Sequence, residues 1–127
     1  KTKVFDWGEE AHGLRIGKAM QSNMDKYIVT QVVCADQGCA ALAHEPGYPN
    51  KTKVFGWDSG GYCKPYGGVY CVRGIDKSLQ KKMDGYTVTK IIGYTSPPDL
   101  LEGGAFFALA HKPGHPKETK VFRWGFL

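Results

Sequence analysis

The chain has 127 residues, a net charge of +5, 42% hydrophobic residues and 23% charged residues. This length and composition fit one globular domain rather than a disordered chain, and no apolar segment approaches the roughly 18 residues that span a bilayer. Because the basic residues form no long run, the sequence carries no dedicated nucleic-acid-binding motif.

The first predicted element is a strand at residues 1–7, with the sequence KTKVFDW. Its motif, Thr-Lys-Val-Phe-x-Trp, recurs at 52–57 and 119–124. In a strand, the Lys, Phe and Trp of each copy share one face, and the Thr and Val share the other. Repeated aromatic positions are typical of packing, so we expect the Phe and Trp of every copy to be buried under helices. The alternative is a basic and aromatic platform that stacks nucleotides or sugars.

A helix is predicted after each of the first two motif copies. Ile16, Met20 and Met24 recur every four residues, and Ile75, Leu79 and Met83 repeat this spacing, as in amphipathic helices that cover a sheet. Each helix is followed by a segment rich in β-branched residues, which predicts a strand. Pro-Gly pairs at 46–47 and 113–114 then predict hairpin turns, because Pro fixes φ and Gly accepts a positive φ.

The two halves of the chain are similar in sequence. Residues 41–57 and 108–124 are identical at 12 of 17 positions, and the helix and first strand also align. The sequence therefore predicts an α+β fold in one domain of two pseudo-equivalent repeats, 8–57 and 58–124. Each repeat reads helix, strand, strand, strand, in an antiparallel-dominated sheet with two helices packed on it. The strand at 1–7 would complete the sheet.

Four cysteines occur, with the spacings C-x4-C and C-x7-C. Structural zinc sites usually pair two such spacings of two to four residues, and C-x7-C is longer, so two disulfides are favoured over a metal site. Three connectivities are possible; sequential pairing, Cys34–Cys39 and Cys63–Cys71, closes the shortest loops. Disulfides indicate a secreted, extracellular chain, in which Asn50 of the sequence Asn-Lys-Thr is a candidate glycosylation site.

The histidines give the strongest indication of catalysis. His44 and His111 occupy equivalent positions before the Pro-Gly turns, and with Glu45 they could form an acid–base set. Catalysis requires an asymmetric pair, however, whereas each histidine has a twin and Glu45 is replaced by Lys112. We expect each ring to bond to its own turn instead. The cluster Glu9, Glu10 and His12 has poor spacing for a metal site. No metal or cofactor is expected.

Binding residues are expected where the two halves differ. The segment 58–72 holds Tyr62, Tyr66 and Tyr70 among glycines, and the segment 94–107 holds Tyr94, Leu100 and Leu101 together with Phe106 and Phe107. Loops of tyrosine and glycine on a rigid scaffold are typical of recognition surfaces. The alternative is neutral loop divergence.

These observations favour a secreted, non-enzymatic binding protein, such as an effector, a toxin-like protein or an inhibitor. It would recognise a macromolecule of another cell or organism, most simply a protein, through loops on a rigid scaffold. Two alternatives stay open: a small secreted ribonuclease-like hydrolase that uses His44 or His111, and a glycan-binding lectin. The sequence leaves the oligomeric state open.

Overall fold

The computed structural model describes residues 3–5, 16, 18–35, 38–58, 75, 77–94 and 105–125. These residues form two helices and two three-stranded antiparallel sheets, which confirms the broad α+β class. The first sheet has the order β1-β2-β3 and the second the order β4-β5-β6. The elements are α1 (Lys18–Met24), β1 (Ile28–Ala35), β2 (Gly38–Glu45), β3 (Tyr48–Asp58), α2 (Lys77–Asp84), β4 (Thr87–Tyr94), β5 (Ala105–Lys112) and β6 (His115–Gly125).

Each helix buries one methionine near its end, Met24 in α1 and Met83 in α2, as the four-residue spacing predicts. In α1, Gln21 lies one turn before Asp25, the residue that follows the helix. Gln21 Nε2 donates a hydrogen bond to Asp25 Oδ1 at 2.9 Å. This bond is the largest cause that lowers the pKa of Asp25; partial desolvation opposes the shift, and the nearby Lys3 ammonium adds to it.

The predicted hairpins are confirmed. Pro46 and Gly47 connect β2 to β3, Pro113 and Gly114 connect β5 to β6, and the two glycines have φ values of 82° and 78°. Residues with a Cβ atom are disfavoured at such φ values, which explains why glycine follows proline in both turns.

Both sheets have the same pairing pattern at positions that the sequence comparison aligns. The register of β1 shifts between Val29 and Gln31, and that of β4 shifts between Val88 and Lys90. The register also shifts after His44 in the β2–β3 hairpin and after His111 in the β5–β6 hairpin. Below, "equivalent" denotes these aligned positions.

The larger hydrophobic core, here the central core, lies between the first sheet and the second half of the chain. The first sheet contributes one face of small and branched side chains: Ala35, Ala40, Leu42 and Val54. The second half contributes Met83, Val88, Ile91, Phe106, Ala108, Ala110, Phe122 and Trp124. A smaller core, the lateral core, lies on the other face of the first sheet and is formed by Met24, Ala41, Ala43 and Phe55, with Val4, Ile16, Met20, Tyr27, Val29 and Trp57 packed against them.

Polar side chains of the first sheet bind the backbone of β4 and of Tyr86, the residue before it. Gln31 Nε2 donates to the carbonyl of Ile91, and Gln31 Oε1 accepts from the Ile91 amide, both at 2.9 Å. Thr52 Oγ1 accepts from the Val88 amide at 2.8 Å and donates to the Tyr86 carbonyl at 3.4 Å. Because β4 is an edge strand, these side chains satisfy backbone groups that no neighbouring strand reaches.

Replacing Gln31 with leucine should lower the free energy of unfolding by about 1–3 kcal/mol, because it leaves part-buried backbone groups of Ile91 without partners. Urea denaturation measures this loss. The equivalent Lys90 is exposed and is the matched control, so Lys90→Gln should change stability by less than about 0.5 kcal/mol. Equal stability of Gln31→Leu and the parent protein would show that the two bonds contribute nothing.

Burial of the motif aromatics is confirmed for Phe55, Phe122 and Trp124, which are 6–7% exposed. Trp57 is half-buried, and its Nε1 is buried without a hydrogen bond to any residue that the structure describes. The prediction is wrong for Phe5, which is 72% exposed. Residues 3–5 belong to neither sheet, and Val4 packs against the lateral core. Within the part of the chain that the structure describes, no strand pairs with residues 3–5 and covers the Phe5 ring.

Candidate functional site

The three strand ends that flank the non-repeated segments, Asp58, Tyr94 and Ala105, lie at one end of the two sheets. Asp58, the last residue of β3, pairs with Gly38, and Tyr94, the last residue of β4, pairs with Ala105. The two sheets meet here, because a Cβ atom at Gly93 would lie 2.7 Å from Val33 Cγ1 and 3.5 Å from the carbonyl oxygen of Cys34. We call this region the loop end.

A disulfide closes the hairpin between β1 and β2 at the loop end. Cys34 and Cys39 are bonded, with their Cα atoms 4.0 Å apart, which confirms the predicted pair. A crosslink of this kind restricts the unfolded chain and holds the hairpin where the two sheets meet. The predicted partners Cys63 and Cys71 lie outside the described residues, and their pairing stays a prediction.

Tyr94 is the one predicted binding residue whose surroundings the structure describes. Its side chain is 48% exposed at the loop end. Phe106, from the same predicted segment, is a core residue: it is fully buried and stacks on Trp124 with ring centroids 5.5 Å apart. The other predicted binding residues lie outside the described residues: Tyr62, Tyr66, Tyr70, Leu100 and Leu101.

Sequence reasoning missed an apolar surface on the second sheet. Five side chains project from this surface, the outer face: Ile92, Tyr94, Phe107, Leu109 and Val121. Ile92 is 41% and Val121 56% exposed, and Phe107 and Leu109 are half-buried. The equivalent residues of the first sheet lie in or against the central core: Val33, Ala35, Ala40, Leu42 and Val54.

A sequence signal for the outer face was present in the differences between the halves. Phe107 stands where the first sheet has Ala40, and Arg123 stands where it has Gly56. Small residues allow a second sheet to approach closely, whereas large ones do not. Two cations, Lys90 and Arg123, flank the apolar residues, since they pair with Leu109 and Phe107. The outer face is therefore an apolar surface with a basic rim.

Both histidines bond to their own turns, as expected. His44 Nδ1 donates to the Glu45 carbonyl and His111 Nδ1 donates to the Lys112 carbonyl, each at 2.8 Å. One nitrogen of each ring is thus bonded to the backbone of its own hairpin. Among the described residues, neither ring forms a hydrogen bond with the Glu45 carboxylate. The backbone bond of the ring is therefore the same in both hairpins, although Glu45 follows one histidine and Lys112 the other.

A cleft of about 630 Å³ lies between the β2–β3 hairpin and the end of α2. It contains two lysines and two carboxylates, of which Lys53 and Asp84 form an ion pair at 3.5 Å. The rings of Tyr27 and Tyr86 are held edge-on against Phe55 and Phe122. The lining residues are Tyr27, Glu45, Asn50, Lys51, Thr52, Lys53, Asp84, Tyr86 and Pro113. The exposed Asn50 of the glycosylation sequence lies in the wall of the cleft.

Among the described residues, no group of three His, Cys, Asp or Glu side chains could hold a metal ion, and neither helix could cross a membrane. Glu9, Glu10 and His12 lie outside these residues. No protein family, curated protein or solved structure matches the chain. Its function is therefore inferred from the loop end, the outer face and the cleft.

Proposed function

We propose that this protein is a secreted, non-catalytic binding protein that recognises a macromolecule of another cell or organism through the loop end. The observation that carries this proposal is the convergence there of the strand ends that flank both non-repeated segments. An effector, a toxin-like protein or an inhibitor would act in this way.

The scaffold behind the loop end supports this proposal. The sheets are joined by a shared core and by side-chain bonds to β4, so strand ends on both sheets keep fixed relative positions. Recognition loops gain affinity when the scaffold orders them in advance, because less conformational freedom is lost on binding. The Cys34–Cys39 disulfide also restricts the hairpin at the loop end before binding. Disulfides persist in oxidising compartments such as the extracellular space.

The scaffold itself derives from duplication of one helix-strand-strand-strand unit whose helix packs on its sheet. The matching strand orders and register shifts support this, as do Met24 and Met83, which are buried at equivalent positions. A repeated framework is explained by packing, which leaves the non-repeated segments to carry recognition.

A protein is the partner that these features fit best. Tyr94 is exposed at the loop end, and tyrosine gives a large contact area with little loss of side-chain freedom. The net charge of +5 favours a partner with an acidic surface, because complementary charge speeds encounter and fixes orientation.

Two exposed tyrosines at opposite ends of the sheets provide the test. Tyr94 lies at the loop end, whereas Tyr48 is 58% exposed beside the Pro46-Gly47 turn. The parent protein would be used to select binders from a displayed random-peptide library. Tyr94→Ser should weaken the selected binders at least about tenfold, and Tyr48→Ser should leave them unchanged. Equal losses from both substitutions, or no selected binder, would reject the loop end.

A lectin is the second candidate, supported by the cleft with its two tyrosines, an amide and paired charges. A glycan array probed with the parent protein and Lys51→Ala separates the candidates, since a cleft lectin would bind a glycan and lose it in the variant. For the hydrolase alternative, we expect no RNA degradation that depends on His44 or His111. Replacing either with alanine should remove only a turn bond, at about 0.5–1 kcal/mol of stability.

A further inference from the structure

Two of the three Thr-Lys-Val copies make the same ion pair. Lys53 Nζ lies 3.5 Å from Asp84 Oδ2, and Lys3 Nζ lies 3.4 Å from Asp25 Oδ2. Each aspartate directly follows the buried methionine of its helix, Met24 or Met83, and each is the first residue of the pattern Asp-x-Tyr-x-Val. We call the two segments with this pattern, 25–29 and 84–88, the junctions.

The valines of these two copies also occupy equivalent places. Val54 is 1% exposed in the central core, which also contains Val88 of the second junction. Val4 packs against the lateral core together with Tyr27 and Val29 of the first junction. A Thr-Lys-Val segment therefore docks on a junction through a lysine–aspartate pair and a valine that packs in the adjoining core, buried for Val54 and half-buried for Val4.

The third copy has the same residues but an exposed surface. Thr119 and Lys120 are exposed, and Val121 is 56% exposed although its equivalent Val54 is buried. Lys120 makes no ion pair with any residue in the described part of the chain. The copy is held in shape, because it lies within β6, an 11-residue strand that pairs with β5 along its length.

We propose that residues 119–121 of one chain dock on the junction 25–29 of a second copy of the chain and displace residues 3–5 of that copy. This proposal does not depend on the loop end.

The first junction is the exchangeable one because the residues that cover it, 3–5, pair with no strand of either sheet. Of these residues, Phe5 is 72% exposed. The second junction is covered by β3, which is paired with β2 and bonded to β4 through Thr52. Docking of one end of a chain on the other end of the next produces a head-to-tail assembly.

Two features keep this association weak. Residues 3–5 are on the same chain as the junction they cover, so they compete at a high effective concentration. Arg123 also stands at the position of Gly56, where a Cβ atom would lie 3.2 Å from Ile75 Cδ1. In the assembly, the Arg123 side chain would meet the equivalent Ile16 of the second copy. Association is therefore expected at high chain concentration, and it should be reversible.

Sedimentation velocity over a wide range of chain concentrations tests the proposal. Val4→Asp should free the first junction and tighten association at least about tenfold, because a half-buried valine no longer competes. Adding Val121→Asp to that variant should return it to a monomer. Val32→Asp is the matched control for that second change: Val32 is a strand valine with 46% exposure and lies outside both contact surfaces, so it should not reverse association.

The double variant separates specific docking from general stickiness. If Val4→Asp stays monomeric, or if its association survives Val121→Asp, the proposal is wrong. Should Val4→Asp fail to fold, Lys3→Ala removes only an exposed ion pair and should tighten association about twofold to threefold, again reversed by Val121→Asp. Arg123→Gly should also tighten association, since it removes the steric conflict; weaker association in that variant would count against the docking geometry.

Discussion

Replacing Phe122 with alanine is expected to lower the free energy of unfolding by about 3–5 kcal/mol, and Phe55→Ala should have a similar effect. Phe122 is 6% exposed in the central core and meets Tyr86 edge-on, with ring centroids 5.3 Å apart. Phe55 is 7% exposed in the lateral core and meets Tyr27 in the same way at 5.5 Å. Each truncation removes apolar contacts and opens a cavity that rigid strands cannot fill.

Phe5 provides the matched control, because it is the same residue of the same motif with 72% exposure. Phe5→Ala should change stability by less than about 0.5 kcal/mol. Equilibrium denaturation of the three variants at one pH measures the difference. A Phe122→Ala protein as stable as the parent, or a Phe5→Ala protein as unstable as Phe122→Ala, would favour a basic and aromatic platform over a packing role.

The contrast between these phenylalanines marks how far the sequence predicts the fold. The spacing of apolar residues correctly predicts α1 and α2, and the Pro-Gly pairs correctly predict the β2–β3 and β5–β6 hairpins, because these features depend on local geometry. The Cys34–Cys39 disulfide followed from loop length in the same way. The repeated motif predicts buried aromatic residues in all three copies, which is wrong for Phe5, because residues 3–5 belong to neither sheet and burial depends on non-local strand pairing.

The stacking of the two sheets could not be read from strand patterns. All six residues from Gly38 to Ala43 in β2 are buried. The strand therefore lacks the alternation of apolar and polar residues that marks a strand with one buried face and one exposed face. In the centre of the strand these are small side chains and one leucine, a composition that suits a strand packed on both faces but also fits a buried helix. The same ambiguity concealed the outer face, because Leu109 and Val121 repeat the buried Leu42 and Val54.

The candidate site was predictable only in part. Non-repeated segments pointed to recognition, and Tyr94 is exposed as that interpretation requires. Phe106, from the same segment, is buried against Trp124, because β5 extends to Ala105 and its side chains alternate between the two faces of the sheet. That the flanking strand ends meet at one end of the molecule depends on contact between β1 and β4, which no local pattern encodes.

The second large effect concerns the tyrosines of segment 58–72. The triple variant Tyr62→Ser, Tyr66→Ser and Tyr70→Ser is expected to abolish partner binding while its melting temperature stays within a few degrees of the parent value. These residues lie outside the described residues, and the prediction follows from the sequence and from the position of Asp58 at the loop end. A tyrosine at an interface hot spot contributes about 2 kcal/mol or more, so the loss of two such contacts would already weaken binding about a thousandfold.

The measurement uses the peptide binders selected with the parent protein, titrated against the triple variant, Tyr94→Ser and the control Tyr48→Ser. A loss in the first two variants with no loss in the third would show that recognition uses both segment 58–72 and Tyr94. A loss in the triple variant alone would restrict recognition to 58–72. Full binding by the triple variant would exclude that segment, and thermal melting distinguishes each of these outcomes from unfolding. If the triple variant binds fully, the basic rim of the outer face is the next surface to test, with Lys90→Glu and Arg123→Glu. An acidic partner attracted by the net charge would contact those two cations.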